Sequence, residues 1–210
     1  MNVALYVEEP SDRFGLETLF EQLIATKDRE GIRIRFFPSE SGDRKNWLLH
    51  TAPIKAARML ANDATSQVAI IPDLYPPNRV FPHVTAAELL DGLRRRCLGE
   101  LERTGHRDAR MFERFHPFCF KHDFEVLLLA SKDALASHLG VNVEVTWIEP
   151  PEDQNHENCL KRIVEKLFQE HRKSYGVLDV PAILKRVDYD TLRNICPQSF
   201  GPLADFLEGL

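Results

Sequence analysis

The chain has 210 residues, a formal net charge of −5, 43% hydrophobic residues and 28% charged residues. This composition is ordinary for a globular protein, and the length allows one large domain, alone or with a small addition. The acidic balance argues against a large non-specific nucleic-acid surface, although it leaves room for a local basic patch. The N-terminus lacks a basic leader, and no stretch approaches the ~20 apolar residues of a membrane-spanning helix. We therefore expect a cytoplasmic protein with no membrane partner.

The cysteines are widely and irregularly spaced, at Cys97, Cys119, Cys159 and Cys196. No CxxC pair is present, which argues against a structural zinc site. A disulfide framework is typical of small secreted domains with little core, which this chain is not. The pattern favours buried free thiols.

The first 130 residues alternate between segments typical of strands and segments typical of helices. The four predicted strands are 2–7, 32–37, 67–72 and 112–120. The predicted helices follow Ser11 and Thr85 as N-caps, span 47–64, and run from Asp123 to a stop at Gly140. Such alternation predicts an α/β fold with a parallel or mostly parallel sheet between helices.

From about residue 150 the pattern changes to helices alone. The predicted segments are 154–173, 179–186, 188–196 and 201–208. We therefore predict an α/β domain over 1–150 and a C-terminal helical extension over 151–210 that packs on the same domain.

Two acidic residues stand where predicted strands end, Glu8 after the first and Asp73 after the third. In open α/β sheets, sites form at the carboxyl ends of strands, so neighbouring strands would bring both side chains to one crevice. Clustered carboxylates are hard oxygen ligands that suit Mg²⁺ or Mn²⁺. The alternative is that both are solvated strand-end residues, and position alone leaves the two interpretations even.

A third polar cluster, His122, Asp123 and Glu125, opens the apolar helix that follows the fourth strand. Asp123 could be an N-cap, and Glu125 would favour the helix dipole in the first turn. The functional interpretation adds either acid to the crevice, with His122 as a base or phosphate contact.

The densest basic stretch surrounds Arg94, Arg95 and Arg96 and continues through Arg103 to Arg114. It could track a nucleic-acid backbone. Because acidic residues are interleaved with it, a solvated helix face is the favoured interpretation.

Four segments in order resemble one family. VEEPSD resembles the V-E-G-x-T-E opening of the Toprim-like DUF4276 family, which is related to the nuclease domains of the OLD family and to RloB-like proteins. IIPDLYPPN resembles its strand-end aspartate segment, and FKHDFEVLLLAS resembles its H-E-x-E-A-x-L-x-A block. The tail from HRKSYG onward resembles its closing K-x-Y…C-P-x-F…L segment.

The resemblance implies a Toprim-like fold with an Mg²⁺-binding glutamate and Asp-x-Asp pair, and an activity on phosphodiester bonds. It further implies an ABC- or AAA-type ATPase partner encoded nearby, a role in anti-phage defence, and nucleic acid as substrate, with DNA favoured over RNA. An oligomer is compatible with it. The implied metal ligands are Glu8, Asp12, Asp73 and Glu125, and the implied catalytic residues are Glu8, Asp73, His122, Asp123 and Glu125.

Two departures from the family pattern bear on the chemistry. Glu9 stands where the family usually has glycine, and a carboxylate there would repel a phosphate. Tyr75 stands where the second aspartate of Asp-x-Asp belongs, and a phenol with a pKa of ~10 is a poor Mg²⁺ ligand. The hypotheses are an Mg²⁺-dependent nuclease and a catalytically degenerate module that serves an ATPase. A receiver-like domain with Asp73 as phospho-acceptor is a weaker third.

Overall fold

The structure is a computed structural model that describes residues 1–40, 42–154 and 159–210. A four-stranded parallel sheet in the order β2-β1-β3-β4 forms its centre. The strands are β1 (Asn2–Val7), β2 (Arg33–Pro38), β3 (Gln67–Ile71) and β4 (Phe115–Pro117). The predicted α/β class with a parallel sheet is confirmed, and it is consistent with a Toprim-like fold.

Helices cover both faces of the sheet and make up the C-terminal third of the chain. The helices before β4 are α1 (Pro10–Leu19), α2 (Glu21–Arg29), α3 (Arg44–Asn46), α4 (Ala52–Asn62), α5 (Ala86–Arg103) and α6 (Ala109–Phe112). A π-helical turn, Trp47–Thr51, joins α3 to α4, and a 3₁₀ turn covers Pro151–Asp153. The later helices are α7 (Val126–Ala130), α8 (Lys132–Leu139), α9 (Leu160–Glu170), α10 (Asp179–Leu184), α11 (Tyr189–Ile195) and α12 (Phe200–Glu208).

The two central strands are buried on both faces, which is why β3 reads as a continuous apolar run. Val68 and Ile70 of β3 pack into a core with α4 and α5, whereas Ala69 and Ile71 pack into the core on the other face. The second core also contains residues of α9 and α12, such as Phe168 and Leu207. The apolar faces of the C-terminal helices therefore pack in the same core as β1 and β3. A domain boundary at residue 150 stays a prediction.

The register of the sheet places its carboxyl ends level. Val7 of β1 lies opposite Pro38 of β2 and opposite Ile71 of β3. The residues that follow these strands therefore meet at one edge, as expected for parallel strands.

Two local predictions at the first helix were wrong. Its N-cap is Glu9 rather than Ser11, because Pro10 begins the helix and Asp12 accepts a 2.8 Å hydrogen bond from the Glu9 N–H. The helix also breaks at Phe20, whose backbone leaves helical geometry between α1 and α2. Phe14 of α1 is 38% exposed, whereas Leu16 and Leu19 of the same helix are buried.

Three other elements are shorter than predicted. The fourth strand has three residues, because α6 takes up Phe112. Ser131 divides the helix predicted after residue 123 into α7 and α8, and its hydroxyl donates to the Leu127 carbonyl at 2.7 Å. Part of the predicted helix 154–173 falls on residues 155–158, which lie outside the described residues. Within the described ranges, no helix combines the length and apolar character needed to cross a membrane.

Candidate active site

Glu8 and Asp73 meet where β1 and β3 end, as the strand-end rule predicts. The backbone N–H of Asp73 donates to Oε2 of Glu8 at 3.4 Å. Ser39, which follows β2, donates its hydroxyl to the Glu8 carbonyl, and its N–H bonds to the Val7 carbonyl at 2.9 Å. Glu8 is thus held from both neighbouring strands, at its backbone by Ser39 and at its side chain by Asp73.

The Asp73 carboxyl is set among other acids. Its Oδ1 is buried and has no hydrogen-bond partner in the described part of the chain. Burial of the carboxyl raises its pKa well above the ordinary value, and nearby acidic charges raise it further. Those acids are Glu8, Asp12, Asp123 and Glu125. The predicted site residues therefore share one electrostatic environment.

Asp12 is a buried acid on the first turn of α1, 4% exposed. Its Oδ2 accepts from the Glu9 N–H at 2.8 Å, and its Oδ1 accepts from the Ser11 hydroxyl at 3.2 Å. Burial and the charges of Glu9 and Glu8 outweigh these hydrogen bonds and raise its pKa to about 7. Both oxygens therefore already have partners within the fold.

Asp123 is not the N-cap of its own helix. Glu125 takes that position at α7, whereas Asp123 Oδ2 accepts from the Lys161 N–H at 3.2 Å and from the Cys159 thiol at 3.1 Å. A carboxylate at the first turn of α9 satisfies a helix donor and favours the helix dipole. Its Oδ1 is buried and lacks a partner among the described residues, and burial raises its pKa.

Glu125 is a buried acid, 6% exposed, that faces the C-terminal part of the chain. Its Oε1 accepts from the Tyr175 hydroxyl at 3.2 Å and lies 4.0 Å from Lys161 Nζ. Burial and the Asp123 charge raise its pKa to about 8. Burial and Asp123 therefore favour the protonated form of Glu125, and the nearby Lys161 opposes them.

His122 lies beside Tyr75 at the entrance to α7. The two rings stack with their centroids 5.6 Å apart, and the Tyr75 N–H donates to the His122 carbonyl at 2.8 Å. His122 is 7% exposed and has a φ of +87°, a backbone conformation that is uncommon outside glycine. Tyr75 thus packs on the predicted catalytic histidine.

Two lysines that sequence reasoning missed lie beside the acids. Lys45 is 6% exposed, and its Nζ has no hydrogen-bond partner in the described ranges. Burial lowers the pKa of Lys45, although the negative charges of Glu8 and Asp73 act to raise it. Lys45 follows β2 in the chain, so the strand-end rule applied to β2 would have indicated this loop.

Lys161 on α9 reaches the same acids from the C-terminal part of the chain. Its Nζ lies 3.3 Å from each carboxylate oxygen of Glu9. Burial disfavours its charge, but Glu125 and Glu9 outweigh that effect and raise its pKa. Arg44 lies 3.4 Å from Glu9 as well. The Glu9 charge is therefore paired with two cations, Arg44 and Lys161.

Comparison with known families assigns the chain. The model of the family described as "Domain of unknown function (DUF4276)" matches residues 7–208. The chain belongs to the DUF4276 family. Among curated proteins and among solved structures, no match was found. The resemblance predicted from the four segments is thus confirmed at the level of the family.

In this DUF4276 protein, two buried carboxylate oxygens without hydrogen-bond partners among the described residues, Oδ1 of Asp73 and Oδ1 of Asp123, could accept a divalent cation. Among the described residues, no three His, Cys, Asp or Glu side chains form a set that could hold a metal ion as they stand. Mg²⁺, however, usually keeps several waters and binds through one or two carboxylates. Glu8 and Asp73 supply such a pair, and raised carboxyl pKa values mark groups that would gain from a cation.

Arg94 and Arg103, in the basic stretch on α5, pair with acids other than those of the candidate site. Arg94 pairs with Asp91 at 3.1 Å, and Arg103 pairs with Glu100 at 2.7 Å. Arg114 donates to four backbone carbonyls, those of Leu60, Asp63, Ser66 and Arg110. These contacts favour the interpretation of a solvated helix face with one structural arginine.

Proposed function

We propose that this DUF4276 protein is a Toprim-like, Mg²⁺-dependent nuclease that hydrolyses phosphodiester bonds at the edge of the sheet where Glu8 and Asp73 meet. The observation that carries the proposal is the unpartnered, buried Oδ1 of Asp73, a residue whose backbone N–H donates to Glu8 at the carboxyl ends of the central strands. A buried carboxylate oxygen without a donor is costly unless a cation or proton satisfies it.

Glu8 and Asp73 would hold the metal ion, with Asp12 and Glu125 as the further candidate ligands. A bound Mg²⁺ or Mn²⁺ would neutralise charge on the phosphoryl oxygens and lower the pKa of a bound water. If Glu125 stays outside the coordination shell of the metal ion, its pKa of about 8 favours the protonated form at neutral pH and makes it the chain's candidate general acid. Tyr175 orients that carboxyl through its 3.2 Å hydrogen bond.

The setting of the activity follows from the family resemblance. We propose that the protein acts in the cytoplasm with an ABC- or AAA-type ATPase, on DNA in preference to RNA, as part of an anti-phage defence system. The resemblance of the N-terminal, H-D-F-E and C-terminal segments supports this setting.

A catalytically degenerate module that serves an ATPase is the second candidate. Tyr75 in place of an acid favours it, as does the buried Lys45 ammonium close to Glu8 and Asp73. Exposed apolar side chains supply a candidate contact surface, because Leu178 is 78% exposed and Phe14 and Leu178 line one groove between α1 and α10.

A plasmid-degradation assay with Mg²⁺ and Mn²⁺, with and without the ATPase encoded nearby, separates the two candidates. The nuclease proposal expects metal-dependent cleavage that Asp73→Asn abolishes and Asp133→Asn, an exposed control on α8, leaves unchanged. Absence of cleavage with every metal, together with a stable complex with the ATPase, would establish the degenerate module instead.

A further inference from the structure

The cleft beside Glu8 is formed by the loop after β2 and the proline-rich loop after β3. It has a volume of about 560 Å³ and is lined by Glu8, Arg44, Lys45, Pro76, Pro77 and Asn78, among others. The cleft thus opens at the same edge of the sheet as the acids, and two of its lining side chains are cationic.

Lys45 is unusual among the cations of this protein. Buried lysines are normally paired, yet Lys45 is 6% exposed and its Nζ has no hydrogen-bond partner in the described ranges. An ammonium that is removed from water without an acceptor costs free energy, which an anion in the cleft would recover. The nearest acids do not supply that acceptor, because they lie close enough to act on its charge without forming a hydrogen bond.

The remaining polar groups of the cleft are compatible with a bound anion. Asp43 is the second acid in its lining, and its carboxylate accepts from the Asn46 N–H at 3.0 Å. Asn78 accepts from the Val80 N–H at 2.9 Å through its side-chain oxygen, which leaves its amide nitrogen as a donor. Arg44 stands at the mouth with 42% of its side chain exposed, and it pairs with Glu9 at 3.4 Å.

We propose that Lys45, with Arg44 at the mouth of the cleft, forms a phosphate-binding subsite that seats a phosphate group of the substrate beside Glu8 and Asp73. This inference rests on the proposed function, which needs a phosphodiester at this edge of the sheet. Tyr75 is not an acid, so a second metal ion would lack a carboxylate ligand at that position. The Lys45 ammonium can neutralise phosphate charge in place of such an ion.

Binding can be measured without cleavage. Fluorescence anisotropy of a 5′-fluorescein single-stranded DNA oligonucleotide and of its duplex, in EDTA at low salt, gives the affinity of the wild-type chain. Competition by inorganic phosphate distinguishes a site for a nucleic-acid backbone from a site for a free phosphate group. Either probe bound through Lys45 supports the subsite.

Lys45→Met is expected to weaken binding by about tenfold or more, the usual effect of losing a charge-assisted hydrogen bond. Lys45→Arg should stay within about threefold of wild type, since it keeps the charge. Lys166→Met is the matched control, because Lys166 is 77% exposed and lies outside the cleft. Lys45→Gln provides a second uncharged variant in case the methionine variant does not fold.

Wild-type affinity in both uncharged Lys45 variants would overturn the subsite, as would failure of the wild-type chain to bind either probe. These results are independent of the nuclease proposal, which depends on metal-dependent cleavage. A wild-type chain that binds through Lys45 but never cleaves would overturn the nuclease and leave the subsite standing.

Discussion

The backbone N–H of Asp73 donates to Oε2 of Glu8, which ties the ends of β3 and β1 together at 3.4 Å. The hydrogen bond holds the Glu8 carboxylate against the backbone of Asp73. The Oδ1 atom of Asp73 has no partner among the described residues. A cation, a proton or a nearby ammonium must balance this pair, and each of these gives a different measurable result.

Asp73→Asn is expected to abolish metal-dependent cleavage and to stabilise the metal-free protein. The amide keeps the shape of the side chain but removes a charge that burial and four neighbouring acids disfavour. We expect a gain of about 1 kcal/mol in the free energy of unfolding in EDTA, measured by urea denaturation. Asp133→Asn should leave cleavage unchanged and should not stabilise the protein, because Asp133 lies in the first turn of α8, where its charge favours the helix dipole. A less stable Asp73→Asn protein would mean that the attraction between Asp73 and Lys45 outweighs burial and the neighbouring acids.

The metal-free protein is expected to lose stability as pH rises through neutrality. The folded-state pKa values of Asp12 and Glu125 are raised to about 7 and about 8. Unfolded carboxyls titrate near ~4, so between these values the folded state binds more protons than the unfolded state, and stability falls with rising pH.

Urea denaturation in EDTA at a series of pH values checks this dependence. We expect the free energy of unfolding to fall by about 2 kcal/mol or more between pH ~5 and pH ~8, and to fall by less in the Glu125→Gln variant. Added Mg²⁺ should flatten the curve, because the metal favours the ionised acids. Stability that rises over this interval in EDTA would contradict the raised pKa values.

Much of this site follows from sequence, and the rest depends on contacts between distant residues. The apolar runs of β1 and β3 predict parallel neighbours, and the residue after each run is then a site candidate. The local sequence predicts that Asp123 is an N-cap of α7. Its Oδ2 instead accepts from the backbone N–H of Lys161 in α9, which lies 38 residues later in the chain. Lys161 and Tyr175 reach the acids only because the C-terminal part of the chain packs on the sheet. No local pattern marks Lys161, and the K-x-Y segment that contains Tyr175 does not indicate its contact with Glu125.

Tyr175→Phe is expected to cost about 1 kcal/mol of unfolding free energy, the net value of a typical hydrogen bond. The phenylalanine ring keeps the packing against Phe168, whose centroid lies 5.2 Å away, so the change isolates the hydroxyl. Tyr189→Phe is the matched variant, since Tyr189 donates to Glu208 at 2.9 Å where that side chain is 32% exposed. Urea denaturation should show the smaller loss for Tyr189→Phe, and an equal or reversed order would argue against a buried Glu125 partner.

Gly15 permits α1 to pack closely on α10 and on Phe124, which precedes α7 in the chain. A Cβ at this position would lie 2.7 Å from Cζ of Phe124 and 2.8 Å from Cγ1 of Val180. Gly15→Ala should therefore destabilise the fold by about 1–3 kcal/mol through overpacking. Gly99→Ala, in an exposed part of α5 with nothing within 4 Å of the added Cβ, should stabilise by about 0.5–1 kcal/mol. Thermal melts of both variants test this packing, and a stabilised Gly15→Ala protein would contradict it.

A crystal soaked in Mn²⁺ and measured at the manganese absorption edge tests the central claim most directly. The proposed site predicts an anomalous difference peak within coordination distance of the carboxylates of both Glu8 and Asp73, absent from a crystal of Asp73→Asn. A fully soaked crystal with no peak at these residues, and with Lys45 Nζ hydrogen-bonded to their carboxylates instead, would contradict it.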